Sequence, residues 1–210
     1  MLEKLIHSFV TLFVTADPIS IVPLFIVVTA GMSDASRRLV ALRSVLIAGP
    51  ILIAFALFGD DIIKFFGITI QAFEVAGGLL LFAIAFRMVF DSGKPADAPQ
   101  DTDSDTGLTQ IAVFPLAIPM MAGPGAISAT ILLTTHRDTW IDLVALVGII
   151  VVLMGLIYTV LMTSERIDRW LGSIGRVVAS RLLGVILAAL AIQFVSEGVL
   201  AFATQIAKSA

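Results

Sequence analysis

The recurrence of long apolar runs along the whole chain limits its possible folds more than any other feature. A helix of about 20 apolar residues crosses the ~30 Å hydrocarbon core of a bilayer. Only 14% of the 210 residues are charged, against about 25% in soluble domains. The runs predict an all-α polytopic membrane protein with six spans, at residues 4–30, 39–59, 68–90, 108–134, 140–163 and 178–205.

Polar stretches separate the predicted spans and are interpreted as connecting loops. Four of them read "GMSDASRR", "GDDIIKFFG", "THRDTW" and "SERIDRWLGSIGR". The longest, "DSGKPADAPQDTDSDTG" at 91–107, is acidic and too polar to bury apolar surface, which predicts a flexible, solvated linker. It divides the chain into a first unit at 1–90 and a second at 108–210.

The distribution of lysine and arginine predicts the orientation, because cytoplasmic loops carry an excess of positive charge. One side has nine such residues and the other has four. The larger set is Arg37, Arg38, Arg43, Arg87, Lys94, Arg166, Arg169, Arg176 and Arg181, and the smaller is Lys4, Lys64, Arg137 and Lys208. Both termini are therefore expected on the outer, periplasmic side, with the linker in the cytoplasm.

The two halves of the sequence resemble each other at a nearly constant offset. "TADP" at 15–18 matches "MAGP" at 121–124, "KFFG" at 64–67 matches "RWLG" at 169–172, and "GGLLLFAIAF" at 77–86 matches "LGVILAALAI" at 183–192. A repeat of three spans must insert its two copies with opposite orientation. Inverted repeats whose first helices are both broken are typical of secondary transporters, with the binding site near the midplane at the breaks.

Three stretches carry a resemblance to a known family. "DPISIVPLF" at 17–25, "GMSDASRR" at 31–38 and "PLAIPMMAGPGAIS" at 115–128 resemble the signature stretches of the MarC family of bacterial inner-membrane proteins, across essentially the whole chain. The resemblance implies a multi-pass protein of the bacterial inner membrane, grouped with lysine-exporter-type transporters. Some members look like transporters of small neutral amino acids.

The first predicted break places Asp17 and Pro18 inside an apolar span. Aspartate is a good N-cap and proline is favoured at the first helical position, so Asp17 is interpreted as the cap of a half-helix that restarts inside the membrane. Because a carboxylate at the bilayer centre costs about 2.5–3.5 kcal/mol and a cap recovers about 1 kcal/mol, a substrate or proton role stays open beside capping. Ser20 lies one turn further on.

The second break, Gly123-Pro124-Gly125, has no acid. The N–H groups and positive dipole end of the helix that restarts there suit an anion, the glycines allow close approach, and Ser128 adds a hydroxyl. The alternative is that the glycines only permit tight helix packing.

Together the breaks predict a site for a zwitterion, with a carboxylate on one side and bare amides on the other. This predicts a secondary transporter of small neutral amino acids that works by alternating access. Two alternatives stay open: a membrane partner or regulator without transport activity, and an exporter of other small metabolites or drugs. An intramembrane enzyme is not expected, because there is no cysteine and His7 and His136 lie far from the breaks.

Three further polar residues are candidates for coupling or gating. Glu74 is either a functional acid or an interfacial group, Arg87 either extends to the interface or acts as a gate, and Gln193 is its counterpart in the repeat. Coupling to H⁺ or Na⁺ through Asp17 stays open. No nucleic-acid partner is expected at a net charge of −3, and no metal site is expected from a chain without cysteine whose two histidines lie far apart in sequence. No cofactor is expected, and the expected partners are a small-molecule substrate and the lipid bilayer. The oligomeric state is not predicted.

Overall fold

The computed structural model describes residues 2–90, 104–135 and 140–209, and every regular element in these ranges is helical. The helices are α1 (Leu2–Ala16), α2 (Pro18–Val28), α3 (Asp34–Phe66), α4 (Ile70–Phe90), α5 (Asp105–Ile111), α6 (Pro124–Thr135), α7 (Trp140–Thr163) and α8 (Glu165–Ser209). An irregular "proline segment", Ala112–Met121, joins α5 to the turn before α6. Residues 91–103 of the predicted linker and 136–139 of the "THRDTW" loop lie outside the described residues.

The number of membrane spans agrees with the prediction from hydropathy. Five segments of the described chain are long and apolar enough to cross a bilayer: Glu3–Val28, Asp34–Gly59, Ile70–Phe90, Trp140–Thr163 and Gly184–Thr204. A sixth forms if Asp105–Met121 and Pro124–Thr134, which are bent by 55° at a short break, are taken as one span. The prediction of an all-α polytopic membrane protein is confirmed.

Two of the predicted loops are wrong. The stretch "GDDIIKFFG" continues α3 as far as Phe66, and α8 begins at Glu165, so "SERIDRWLGSIGR" is helical from its second residue. Helix α3 ends where Gly67 adopts φ 62°, and the N–H groups of Gly67 and Ile68 donate to the carbonyls of Lys64 and Ile63. This is a Schellman ending, which requires a left-handed residue after the helix. Polar residues marked these stretches as loops, but the helix ends only at the glycine.

Helices α4 and α8 form a close antiparallel pair. A Cβ added to Gly78 would lie 2.8 Å from the carbonyl oxygen of Ala191, and one added to Gly198 would lie 2.9 Å from that of Gln71. Gly184 has the same relation to Ala85, at 3.1 Å. Small residues let helix backbones approach closely in a membrane, where apolar burial between helices adds little. The glycines therefore hold α4, the last helix of the first half, against α8, the last helix of the second half.

Most contacts between the halves have a counterpart when the halves are exchanged, although the contact of α4 with the proline segment has none of similar extent. Helix α3 packs on α7 and α4 on α8. Helix α1 packs on α6 and α7, and its counterpart in the second half, the proline segment, packs on α2 and α3. Likewise, α2 contacts α8, and its counterpart α6 contacts α4. This is the pattern that two inverted copies would give, and the repeat itself stays a prediction from the sequence. The fully buried side chains of Phe25, Leu52, Leu116 and Ile150 fill the centre of this arrangement.

Candidate functional site

The first break is a single residue wide and is built around Asp17. Its carboxylate accepts hydrogen bonds from the backbone N–H of Ser20 at 3.3 Å and from the Ser20 hydroxyl, and Pro18 occupies the first position of α2. The capping interpretation of Asp17 is confirmed. Pro18 is buried, whereas Asp17 and Ser20 are half-buried.

The backbone of Asp17 is strained. Its φ of 40° and ψ of 68° make it the single non-glycine residue of the described chain with positive φ. Aspartate tolerates this region better than most residues, yet it costs of order 1–3 kcal/mol. Such strain persists only where the surroundings enforce it, and it concentrates at ligand sites and switches. The conformation therefore supports a site role for Asp17, in addition to its half-buried carboxylate.

The second break is wider, because two prolines disturb the helix before it. In the proline segment, Phe114 and Ile118, which precede the prolines, have extended backbone in place of helical angles. A proline disfavours the helical conformation of the residue before it and removes one N–H donor. The backbone N–H of Ala122 then donates to the carbonyl of Ala117 at 2.8 Å, closing a wide turn.

The two glycines of this break differ in their surroundings. A Cβ on Gly123 would lie well inside 3.0 Å of the carbonyl oxygen of Pro119, whereas one on Gly125 would meet its nearest atoms at 3.9 and 4.0 Å, which is ordinary contact. Gly123 is therefore needed for close approach to its own preceding turn, and the obstructing atoms there do not belong to another helix. Gly123 has no side chain to cap α6, and helix geometry leaves the first N–H groups of α6, at Gly125 and Ala126, without intrahelical acceptors.

The two breaks lie side by side. The atom nearest to a Cβ on Gly125 would be the carbonyl oxygen of Thr15, at 3.9 Å, and the next would be Cε1 of Phe194, at 4.0 Å. Thr15 is two residues before Asp17, and α2 also contacts the proline segment. The N-terminal end of α6, with its partial positive charge, thus faces the carbonyl end of α1 next to the Asp17 turn.

A chain of polar side chains lies beside the second break. Ser128, one turn into α6, donates its hydroxyl to Oε1 of Glu74 on α4 at 3.5 Å. Gln193 Nε2 donates to Glu197 Oε1 at 2.7 Å. The structure therefore joins Ser128 to Glu74 and, on α8, which packs on α4, joins Gln193 to a further acid, Glu197. Its spacing of four residues from Gln193 was the available signal.

Pro124 connects this chain to the break, and Arg87 lies away from it. A Cβ on Gly77 would overlap the ring of Pro124, so α4 packs directly on the first turn of α6. Arg87 is exposed in the last turn of α4. It is thirteen residues beyond Glu74, a rise of about 20 Å along the helix. The structure does not bring Arg87 to the breaks.

Sequence reasoning missed two interactions of arginines. Arg37, counted only as an orientation signal, is 5% exposed, and its Nε donates to Oγ1 of Thr29 at 3.1 Å. Arg43 Nη1 donates to the carbonyl of Asp105 at 2.8 Å and to Thr109 Oγ1 at 2.6 Å, and Nη2 pairs with the Asp105 carboxylate. Asp105, assigned by sequence to a solvated linker, is in the first turn of α5 and ties it to α3. No local pattern marks either contact.

The described ranges offer no group of three or more histidine, aspartate or glutamate side chains that could hold a metal ion. A family model described as MarC family integral membrane protein matches residues 2–203. The chain belongs to the MarC family. The resemblance drawn from the sequence is confirmed, and with it the assignment as an integral membrane protein.

Relatives of this MarC protein come from archaea and bacteria. A UPF0056 membrane protein of Methanocaldococcus jannaschii is 34% identical over 198 residues, covering 94% of this chain and 97% of the relative. One from Pyrococcus abyssi is 35% identical, covering 91% and 92%. The UPF0056 membrane protein YvbG of Bacillus subtilis is 32% identical, covering 94% and 95%. No solved structure matches the MarC chain.

Proposed function

We propose that this MarC protein is a secondary transporter of small neutral amino acids in the bacterial inner membrane, with both termini in the periplasm. It binds its substrate between the two helix breaks and exposes that site to the two sides of the membrane in turn. The observation that carries the proposal is the proximity of the breaks, where the first turn of α6 meets the carbonyl of Thr15 next to Asp17.

The chemistry of the two breaks suits opposite ends of an amino acid. The uncapped N–H groups and positive dipole end of α6 favour the substrate carboxylate. The half-buried carboxylate of Asp17 favours the ammonium group, which can replace Ser20 as its hydrogen-bond donor. A zwitterion satisfies both sides without adding net charge to the membrane interior.

The space beside Gly125 supports a small substrate. A single added carbon there reaches van der Waals contact with Thr15 and Phe194 at 3.9 and 4.0 Å. A substrate carboxylate can approach the helix end at Gly125, where a larger residue would occupy the space. A bulky side chain beside the carboxylate would have to displace Phe194.

The packing of the two halves supports alternating access. Most contacts between the halves have a counterpart under exchange, which is what a fold whose halves swap roles between two arrangements requires. Protonation or cation binding at Asp17, or at Glu74, would couple transport to H⁺ or Na⁺. The proposal includes no catalytic step and no cofactor.

The test is uptake and efflux of labelled glycine, alanine and serine by purified protein in proteoliposomes. Gly125→Asp places a carboxylate on the dipole end assigned to the substrate and should abolish transport, while the steric control Gly125→Ala should impair transport less. Amidated analogues should compete poorly with alanine. Equal loss in both variants, or tight binding of an amidated analogue, would contradict carboxylate capture at this break.

A further inference from the structure

A groove that the proposed transport site does not use lies at the opposite end of α6. It has a volume of about 520 Å³ and is formed by the start of α1, the end of α6 and the start of α7. This is within the ~300–1,000 Å³ typical of ligand pockets. Its polar lining residues are Glu3, Lys4, His7, Ser8 and Asp142. The remaining wall is apolar and includes Leu132, Leu133, Leu146 and Ile149.

The groove lies where its helices reach the surface of the membrane. Glu3 is the first residue of one candidate span, and Asp142 is in the first turn of another, Trp140–Thr163. Trp140 is 76% exposed beside it, as expected for an aromatic residue at the interface between hydrocarbon and water. The charged residues are thus at the level of lipid headgroups, and the apolar wall extends from them along α6 and α7.

We propose that this groove binds a phospholipid whose headgroup carries a primary ammonium as well as a phosphate. The apolar wall, with Leu133 and Ile149, takes the upper part of an acyl chain. The phosphate lies at Lys4, a compact point charge suited to phosphate, and the His7 ring can supply a further N–H donor. The ammonium lies between the carboxylates of Glu3 and Asp142.

The charge at the groove selects among lipids. Among the lining residues that the structure describes, the two carboxylates of Glu3 and Asp142 outnumber the one ammonium of Lys4, which disfavours a headgroup whose only charge is negative. A primary ammonium offers three N–H donors to the carboxylates, whereas the quaternary ammonium of a choline headgroup has none. Lys4 and Asp142 also have interactions within the protein, so a bound headgroup would share these two charges with groups of the chain.

The experiment is native mass spectrometry of the protein released from nanodiscs made of equal parts phosphatidylethanolamine, phosphatidylcholine and phosphatidylglycerol. One phosphatidylethanolamine molecule should remain bound at activation energies that remove the other two lipids. Asp142→Asn should reduce its retention about tenfold, the size of one charge-assisted hydrogen bond. Asp61→Asn, which neutralises an exposed acid on α3 outside the groove, should leave it unchanged.

Two phenylalanine substitutions on α7 distinguish lipid binding in the groove from general contact of the helix with lipid. Ala145 lines the groove, whereas its neighbour Val144 is exposed on the same helix and is not part of the lining. Ala145→Phe should remove the retained lipid and Val144→Phe should keep it, with both proteins checked for the same melting temperature. Preferential retention of phosphatidylglycerol, equal retention of all three lipids, or loss in both phenylalanine variants would each overturn the proposal. These readouts do not depend on transport.

Discussion

Replacing Gly123 by alanine should destabilise the protein severely, because the new methyl group has no room. Its Cβ would lie well under 3.0 Å from the carbonyl oxygen of Pro119, closer than Cβ atoms approach other heavy atoms in proteins. The obstructing atoms are backbone, so no flexible side chain can move aside. Overpacking typically costs about 1–3 kcal/mol. Here the obstructing atom belongs to backbone already constrained by Pro119, so we expect about 3 kcal/mol.

Gly125→Ala is the matched control within the same helical turn. Its methyl group would meet only ordinary contacts at 3.9 and 4.0 Å, and replacing glycine by alanine in a compatible conformation stabilises a protein by about 0.4–1 kcal/mol. The two variants should therefore differ by about 3–4 kcal/mol. At about 2–4 °C per kcal/mol for chains of this size, their melting temperatures should differ by roughly 6–16 °C.

The assay is thermal unfolding of both variants and the parent in the same detergent, followed by tryptophan fluorescence and size-exclusion recovery. The expected order of melting temperatures is Gly125→Ala at or above the parent, with Gly123→Ala far below. If Gly123→Ala melts with the parent, the second break does not close against Pro119 as described. If Gly125→Ala falls as far as Gly123→Ala, then Gly125 is also tightly packed, and the space assigned there to a substrate carboxylate does not exist.

Three further predictions concern the first break, the contact between the halves and the orientation. Asp17→Asn keeps the cap, since asparagine caps about as well as aspartate, so expression and melting should be normal while transport falls strongly; normal transport would limit Asp17 to capping. Arg43→Ala should lower stability by roughly 1–2 kcal/mol through lost hydrogen bonds to Asp105 and Thr109, with Arg43→Lys intermediate in melting temperature; an unchanged melt for the alanine variant would contradict this. Reporter fusions at residue 100 and at the C-terminus should show cytoplasmic and periplasmic locations respectively, and a periplasmic signal at residue 100 would reverse the orientation.

The parts of the fold that hydropathy and cap chemistry control could be predicted from the sequence. Long apolar runs are read directly as spans, and their number agrees with the structure. Asp17 followed by Pro18 is a local cap signal, and the structure has the predicted cap there. Both features depend on residues adjacent in sequence, so no knowledge of tertiary contacts was needed.

Features set by backbone detail or by distant partners could not be predicted in the same way. Pro115 and Pro119 indicated a disturbed helix, but not that Phe114 and Ile118 would be extended. The polar residues after residue 59 predict too early an end for α3, which continues to Phe66 and is terminated by the left-handed Gly67. At the candidate site, the partnership of Glu74 with Ser128 joins residues 54 positions apart, and no pattern within either helix specifies it.

The glycine contacts between α4 and α8 have a consequence for how the protein is made. Gly78 is synthesised about 100 residues before Gly184, and chains elongate at about 5–20 residues per second. Helix α4 therefore enters the membrane roughly 5–20 s before α8 exists to cover its glycine face. In that interval the glycine face of α4 is not covered by α8. Another newly inserted helix with small residues at matching positions can pack on it. Any such contact that forms in this interval has to be released before α8 can pack on α4.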